Sequence, residues 1–166
     1  MAWVNMIRPR SDVIPEIVLP DKYTIWTYSV ETETWIDIIH ESFGELWTTD
    51  KFNNEMIKSS GYKGDNIFFL SYNGLPVGTI TAWVIDERQG YLHMLGIIPE
   101  HQHKRLGYIL GLKVLQYLKD YDKITLITYS DRLSAIKTYL NLGFVPYYKE
   151  ENDYSVWSSI FERLRG

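Results

Sequence analysis

A tight-turn dipeptide lies between two strand-like runs of this chain and limits how they can pair. Asn73-Gly74 separates residues 67–72 from residues 77–85, and both runs are rich in aromatic, aliphatic and β-branched side chains. Asn-Gly supplies the positive φ angles of a two-residue hairpin turn, which predicts that the two runs are antiparallel neighbours. Residues 91–98 are nearly all apolar, as expected of a central strand buried on both faces. The chain is therefore predicted to build a sheet around these three strands.

The connection after the third strand predicts the direction of the next one. Twenty-five residues lie between Ile98 and Ile124, and residues 105–119 among them have the pattern of one helix. A right-handed crossover of this length sets its two flanking strands parallel. An antiparallel hairpin joined to a parallel βαβ unit indicates the α/β class, with a central mixed β-sheet of about six to seven strands and helices on both faces.

The rest of the chain is predicted to supply further elements of one domain. Helices are predicted over residues 32–44, 49–61 and 131–141, and strands over residues 23–30, 124–129, 144–148 and 155–161. Thr49 is expected to cap the second helix. Residues 1–20 contain three prolines, which predicts an extended N-terminal arm. No repeat, low-complexity run or Gly/Ser linker interrupts residues 1–166, so a single domain is expected.

Composition excludes several kinds of function. The 166 residues include no cysteine, which excludes disulfide frameworks, thiolate zinc sites and a cysteine nucleophile. The formal net charge of −4 provides no general attraction to nucleic acid. No apolar run approaches the ~20 residues that span a bilayer. We therefore expect a soluble, cytoplasmic protein without a nucleic-acid or membrane partner.

The turn after residue 98 has the features of a phosphate-binding site. A helix that begins near Arg105 presents backbone N–H groups without partners inside the helix, together with the positive end of its dipole. Lys104 and Arg105 add formal positive charge at the same place. A solvated basic turn is the alternative interpretation. His101 and His103 are expected to be polar turn residues, so no metal site is predicted.

Two segments of the second half of the chain have motif-like patterns. Residues 102–107 read Gln-His-Lys-Arg-Leu-Gly, and residues 135–144 read Ala-Ile-Lys-Thr-Tyr-Leu-Asn-Leu-Gly-Phe. They resemble two segments of the GNAT superfamily of N-acetyltransferases: the acetyl-CoA loop Gln/Arg-x-x-Gly-x-Gly/Ala and the segment Ala-Ile-x-x-Tyr-x-x-x-Gly-Phe. Arg105 replaces the first glycine of the loop. The resemblance covers residues 66–148, and residues 1–65 are similar only in the order of their elements.

The resemblance implies acetyl-CoA as cosubstrate and a role for each matching residue. The pyrophosphate cradle would consist of Gln102, His103, Lys104, Arg105, Leu106, Gly107 and Tyr108. The pantothenate arm would pair with the backbone of Leu95 and Ile97, and the Leu95 N–H would face the thioester carbonyl as an oxyanion donor. Tyr139 matches the tyrosine that donates a proton or hydrogen bond to the departing sulfur. A hydrogen bond is the expected form, because a phenol is a weaker acid than a thiol.

Two positions, Arg105 and Gly96, leave structural alternatives open. Arg105 would be strained by ~1 kcal/mol or more if its position needs a positive φ, and would crowd the pyrophosphate if it needs only close approach. Gly96 is expected to mark a bulge or a close backbone approach, with simple packing as the alternative. Gly107 and Gly111 share one helical face, which predicts close packing of that helix on the sheet.

The group that removes the acceptor's proton is also open. Several family members use a glutamate of the central strand, but Tyr91 stands at the matching position here. His93 lies two residues before Leu95, so in regular strand geometry it shares the face toward the thioester, and imidazole titrates near neutrality. His93 is therefore the candidate general base, directly or through water. The alternative is a histidine of the hydrophobic core.

With the resemblance, these residues predict an N-acetyltransferase in which an amine attacks acetyl-CoA directly. The alternative is a catalytically silent acyl-CoA-binding or regulatory module, with which the departures from the family pattern are compatible. A nucleotide-binding doubly wound protein is disfavoured, because neither phosphate-loop pattern is present. The acceptor is an unidentified small-molecule or peptide amine, with Trp35, Trp47 and Tyr62 as candidate lining residues. The oligomeric state stays open, with a homodimer as one option.

Overall fold

A mixed β-sheet forms the centre of the computed structural model, which describes residues 2–29 and 31–166. Its strands are β1 (Trp3–Pro9), β2 (Tyr23–Thr27), β3 (Ile67–Tyr72), β4 (Leu75–Val84), β5 (Gln89–Ile97), β6 (Lys123–Tyr129) and β7 (Val145–Pro146). These seven strands lie in the order β2-β3-β4-β5-β6-β1-β7. The predicted α/β class with a mixed sheet is confirmed. The predicted strand over residues 23–30 ends at Val30, which lies outside the described residues, as does Met1.

Helices cover both faces of this sheet. They are α1 (Thr32–Phe43), α2 (Thr49–Phe52) with a π-helical turn (Asn53–Ile57), α3 (Leu106–Tyr117) after a 3-10 turn (Pro99–His101), α4 (Leu133–Asn141) and α5 (Asn152–Arg165). The cap of α2 is Thr48 rather than Thr49, because the Thr48 backbone is extended and its hydroxyl accepts a hydrogen bond from the Lys51 N–H at 3.0 Å. Within the described residues, no helix is both long and apolar enough to cross a membrane.

The hairpin and the crossover are confirmed. Strands β3 and β4 are antiparallel, and both turn residues have positive φ, 50° at Asn73 and 81° at Gly74. Strand β5 is antiparallel to β4 and parallel to β6, and α3 makes the connection between β5 and β6. The helix and strands of this unit therefore place the turn before α3 at the end of β5.

The N-terminal segment is corrected in part: residues Trp3–Pro9 form a strand inside the sheet rather than a free arm. Strand β1 lies between β6 and β7 and is antiparallel to both. Val4 and Met6 are buried while Trp3 is exposed, which is the alternation of a strand with one face on a core. Pro9 is the last residue of the strand, so its missing N–H leaves the rest of the ladder intact.

The C-terminal segment is also corrected: residues 155–161 lie in helix α5 and not in a strand. Trp157 and Ile160 are buried, and Phe161 and Leu164 pack on the same core. This spacing is that of one helical face. The predicted strand over residues 144–148 is reduced to Val145–Pro146, which pairs with β1.

Two hydrophobic cores lie on opposite faces of the sheet. The larger core packs α3, α4 and α5 against the sheet. The smaller core lies under α1 and α2 and contains Trp35, with Trp47 and Tyr62 packed against it. These three side chains, proposed above as lining residues, are thus part of this core, where Trp35 contacts the Trp47 ring at 4.9 Å between centroids.

Candidate active site

A gap opens in the sheet where the two parallel strands separate. Strands β5 and β6 pair over three residues each, Gln89–Tyr91 of β5 with Lys123–Thr125 of β6. Beyond this point β5 also bulges against β4, since Thr79 faces Gly96 while Thr81 faces His93. Three steps along β5 therefore oppose two steps along β4, and Met94 takes a positive φ of 53°. The bulge lies directly before Leu95, where the separated strands form two clefts.

The first cleft, of about 840 Å³, lies between the end of β5 and the N-terminal ends of α3 and α4. It brings together eight of the predicted residues: Leu95, Ile97, Gln102, His103, Arg105, Leu106, Gly107 and Tyr139. Lys104 and Tyr108 do not line it, although they lie in the same turn and the first turn of α3. The structure thus places most of the predicted cradle around a single concave surface.

The loop before α3 is held so that its backbone faces this cleft. The Gln102 side-chain amide donates a hydrogen bond to the Ile97 carbonyl at 2.8 Å, which ties the loop to the end of β5. His103 and Arg105 have positive φ angles, 63° and 61°. No side chain caps the N-terminus of α3, so the first N–H groups of that helix have neither an intrahelical nor a side-chain partner. Such a terminus favours an anion.

His101 lies at the edge of the same cleft and is fixed from a distant strand. Its Nδ1 shares a hydrogen bond with the Tyr23 hydroxyl of β2 at 2.6 Å. Among residues 2–29 and 31–166, no group of three or more His, Asp or Glu side chains has the placement of a metal site. His101 thus contributes to the wall of the first cleft as a hydrogen-bonded turn residue.

Arg105 has the left-handed backbone that the sequence left undecided. Its φ is 61° and its ψ is 19°, a region in which a side chain costs about 1 kcal/mol or more. Its guanidinium lies over the Tyr108 ring, 5.0 Å from the centroid. The first of the two alternatives therefore applies, and this chain has strain where the family loop has glycine.

This backbone strain predicts a stability difference between two variants. The free energy of unfolding of Arg105→Gly is expected to be about 1 kcal/mol higher than that of Arg105→Ala, because only glycine adopts a positive φ without a Cβ clash. Both variants lack the guanidinium, so their difference measured by urea unfolding reports the backbone alone. Equal free energies of unfolding would contradict a strained loop.

Glycines 96, 107 and 111 differ in what surrounds them. A Cβ on Gly96 would lie 3.0 Å from the Ser42 Oγ and 3.4 Å from the Ile39 Cδ1, which are side-chain atoms of α1. The packing alternative therefore applies to Gly96, and the bulge lies at Met94. A Cβ on Gly111 would lie 2.3 Å from a Leu142 methyl group, so the predicted packing on the sheet is wrong for Gly111, which packs against the end of α4. Gly107 has space for a Cβ.

The second cleft, of about 760 Å³, lies on the other side of the gap. Residues of β1, β5 and β6 line it, together with Glu45 after α1. The residues that line both clefts are Phe43, Leu95, Asp131, Arg132 and Tyr139. The two clefts therefore meet at Leu95 and Tyr139.

The two clefts differ in charge. Three cationic side chains, Arg105, Arg132 and Lys137, line the first cleft against one carboxylate, that of Asp131. In the second cleft the carboxylates of Glu45 and Asp131 outnumber the single cation Arg132. The first cleft thus favours an anion and the second cleft favours a cation.

Tyr139 is a buried, neutral phenol at the junction. It lies on α4 with 8% of its surface exposed, and burial raises the pKa of its hydroxyl to about 12. The Arg132 charge opposes this effect and the nearby Tyr91 adds to it. None of the hydrogen bonds in the described part of the chain involves this hydroxyl, so it is available as a donor to a ligand in either cleft.

His93 lines the second cleft and not the first. The centroid of its ring lies 5.2 Å from that of Trp83 and 5.7 Å from that of Tyr91. Burial lowers the pKa of His93 to about 4. The imidazole is therefore neutral at pH 7. The expectation that it titrates near neutrality is wrong, because burial makes it a weaker base than an exposed imidazole. The expectation that His93 and Leu95 share a face rested on a regular strand, but the bulge at Met94 separates them and both still reach the second cleft.

The lowered pKa predicts a stability change with pH. In the unfolded chain His93 binds a proton near its ordinary pKa of about 6.5, whereas the folded protein does not until pH falls to about 4. Its contribution to the free energy of unfolding is complete above pH 6.5 and is lost as pH falls to 4, by up to about 3 kcal/mol. The difference between wild type and His93→Gln in urea unfolding should therefore shift in this window. A difference that does not change with pH would contradict a buried neutral His93.

Sequence reasoning missed several lining residues. Ser42 and Phe43 come from the last turn of α1, and Trp3 and Asn5 come from β1. None of them belongs to a motif near residues 95–108, and each reaches the gap only through tertiary packing. Gly96 alone signalled the approach of another element.

Solved structures of similar fold share little sequence with this chain. A GCN5-related N-acetyltransferase from Sphaerobacter thermophilus has a TM-score of 0.75 at 15% identity, over 87% of this chain and 48% of that one. The ribosomal-protein-S18-alanine N-acetyltransferase from Escherichia coli has a TM-score of 0.65 at 19% identity, over 76% of this chain and 79% of that one. A GCN5-related N-acetyltransferase from Kribbella flavida has a TM-score of 0.61 at 19% identity, over 86% and 53%. This chain thus spans about half the length of the first and third proteins, and the likeness concerns the fold.

A family model provides the sequence-level match. Residues 32–144 match the model of the acetyltransferase (GNAT) family. No protein of curated function matches the sequence. The matched segment runs from the start of α1 to the residue before β7. It therefore includes the residues of β5 and α4 that line the two clefts. Since the match covers more than half of the chain, the chain belongs to the GNAT acetyltransferase family.

Proposed function

We propose that this chain is an N-acetyltransferase that transfers the acetyl group of acetyl-CoA to an amine by direct attack. The observation that carries the proposal is the meeting of a cation-lined cleft and a carboxylate-lined cleft at Leu95 and Tyr139. The first cleft suits a polyphosphate ester, and the second suits an amine that is an ammonium ion in solution. A reaction between the two occurs where the clefts join.

The first cleft has the features that acetyl-CoA needs. The uncapped N–H groups of α3 and the left-handed residues His103 and Arg105 form a concave set of donors for the pyrophosphate. Arg132 and Lys137 add charge on the opposite wall. Where β5 no longer pairs with β6, the backbone of Leu95 and Ile97 is proposed to bind the pantothenate arm as an added strand would.

The chemistry then depends on three groups. The Leu95 N–H, next to the bulge, is proposed to stabilise the oxyanion as the amine nitrogen bonds to the thioester carbon. The neutral Tyr139 hydroxyl donates a hydrogen bond to the sulfur as the C–S bond breaks. His93, which lines the second cleft and is neutral at pH 7, is proposed to relay the proton that the amine loses to solvent, directly or through water. The CoA sulfur leaves as a thiolate and takes a proton from solvent, so the products are an amide and the free thiol of CoA.

Two measurements on the same protein test this proposal. Calorimetry with CoA tests the first cleft, and release of CoA from acetyl-CoA with a panel of amines tests transfer. We expect both to be positive. Tight binding without turnover on any amine would instead favour the catalytically silent module, for which Arg105 and Tyr91 are the specific departures. Absence of any heat with CoA would overturn both.

A further inference from the structure

An aromatic wall lines the second cleft. Five aromatic residues line it: Trp3, Phe43, Tyr91, Tyr129 and, at the junction with the first cleft, Tyr139. Trp3 and Tyr129 are stacked, with centroids 3.7 Å apart and planes inclined by 27°. Although Trp3 is stacked on one side, 60% of its surface remains exposed. A large indole that is both rigidly stacked and open beside a cleft is a typical anchor for a ligand.

The sheet topology explains why this surface stays uncovered. Helices α1 and α2 pack on the strands of the β2 to β5 half of the sheet. On the same face, β1 and β6 present Trp3, Asn5 and Ile127, since their neighbours Val4 and Leu126 point into the core on the other side. Ile127 is 47% exposed. The uncovered part of this face forms one wall of the second cleft.

The charge of this cleft limits the kind of amine that fits it. Glu45 and Asp131 exceed the single cation Arg132 by one charge. The Arg132 guanidinium lies over the Phe43 ring, 4.7 Å from the centroid, and also faces the first cleft. One net negative charge suits a single ammonium group. A polyamine would need more carboxylates, and an amino acid would bring a carboxylate of its own.

We propose that the acceptor is a small arylalkylamine, a primary amine that carries a flat aromatic group one or two carbons away. Its ring would stack on Trp3, while its nitrogen would lie near Glu45 and reach the junction at Tyr139. A cleft of about 760 Å³ is of the size that holds a small molecule. The inference rests on the proposed function, because it names the acceptor of the same reaction.

The test compares three amines that share one charge but differ in the apolar group. 2-Phenylethylamine, 2-cyclohexylethylamine and n-butylamine are assayed for CoA release and titrated by calorimetry with and without CoA. We expect kcat/KM and affinity for the phenyl compound to exceed those for the cyclohexyl compound about tenfold, since ring stacking adds to apolar burial. Trp3→Leu should reduce this ratio to about twofold or less, and Trp3→Phe should retain most of it.

The chain offers a matched control outside the cleft. Tyr154 of α5 stacks on Tyr148, with centroids 4.4 Å apart and planes inclined by 7°, and Tyr154 is 62% exposed. Tyr154→Leu removes an equally exposed stacked ring that lies outside the second cleft. This variant should leave the preference among the three amines unchanged. Glu45→Gln should weaken the binding of all three amines to the same extent.

Each outcome bears on one proposal or the other. Equal activity and equal affinity for the phenyl and cyclohexyl amines would overturn the aromatic preference while transfer stands. Preference for a short peptide with a free amino terminus, insensitive to Trp3→Leu, would also overturn it. Binding of 2-phenylethylamine that depends on Trp3, without turnover of any amine, would overturn the proposed transfer and with it the acceptor role, while leaving a binding site for an arylalkylamine at Trp3. Absence of binding and of turnover for all three amines would overturn the inference.

Discussion

Tyr139→Phe is expected to lower kcat about 100-fold while leaving the affinity for acetyl-CoA unchanged. The substitution removes only the hydroxyl, which has no protein hydrogen bond to lose among the described residues. The phenyl ring keeps the packing of Tyr139 against Phe144, whose centroid is 6.3 Å away. The loss therefore falls on the step in which the thiolate departs. Steady-state kinetics with the best amine and calorimetry with acetyl-CoA measure the two quantities.

The pKa of Tyr139 decides which role this prediction tests. Because burial raises that pKa to about 12, full transfer of its proton to a thiolate is uphill, and a hydrogen bond is the expected contribution. The basic side of the pH–rate profile below pH 10 should then be the same in wild type and Tyr139→Phe.

Tyr91→Phe is the matched control, since Tyr91 is a neighbouring partly buried phenol that lines only the second cleft. It should change kcat by less than about threefold if the Tyr139 hydroxyl alone contacts the sulfur. Equal losses in the two variants, or an unchanged kcat in Tyr139→Phe, would remove Tyr139 from the reaction.

Gly107→Ala is expected to weaken acetyl-CoA binding at least about tenfold without destabilising the fold. A Cβ at this position would lie 3.6 Å from a Leu95 methyl group and 3.9 Å from a Thr138 methyl group, which are ordinary contacts. Both neighbours line the first cleft, so the added methyl group takes space that the pyrophosphate is proposed to occupy. Calorimetry with acetyl-CoA measures the affinity, and urea unfolding measures the stability.

Gly111→Ala, one helical turn later, is expected to lower stability and to leave acetyl-CoA binding unchanged. Its Cβ would lie 2.3 Å from a Leu142 methyl group in the core, so we expect a loss of about 2 kcal/mol in the free energy of unfolding. The folded fraction should bind acetyl-CoA as wild type does, because Gly111 does not line the first cleft. Unchanged acetyl-CoA affinity in Gly107→Ala would place the pyrophosphate elsewhere.

The predicted elements that proved correct depend on short stretches of sequence. Asn73 and Gly74 determine their turn through their own φ angles, and the three strands around it follow. The helix after residue 105 and the helix around Tyr139 have spacing and end signals within a dozen residues. The resemblance to the family, which also rests on short motifs, assigned residues 102–107 to one site, and all of them except Lys104 line the first cleft.

The errors arise where the outcome depends on distant segments. Residues 155–161 are compatible with either a strand or a helix when considered alone. The place beside β6 is taken by β1, where Met6 faces Leu126, and the C-terminal segment instead packs on the core as a helix through Trp157. Prolines 15 and 20 indicated an arm, but they follow the strand and do not interrupt it.

The site shows the same division between local and distant information. The sequence motifs, through their resemblance to the family, pointed to the loop before α3, to Tyr139 and to the strand that contains Leu95, and these line the first cleft. Such motifs are local properties of the chain. They did not decide whether Arg105 is strained, where β5 bulges, or that His93 faces a separate cleft, since these depend on how β4 and β6 meet β5.

The hairpin, the crossover and eight residues of the first cleft could be predicted from local sequence. The position of β1 inside the sheet and the place of Trp3 in the second cleft could not. Backbone φ preferences and hydrophobic periodicity act between near neighbours. Strand insertion and cleft formation depend instead on which surfaces remain to be buried after all elements have formed.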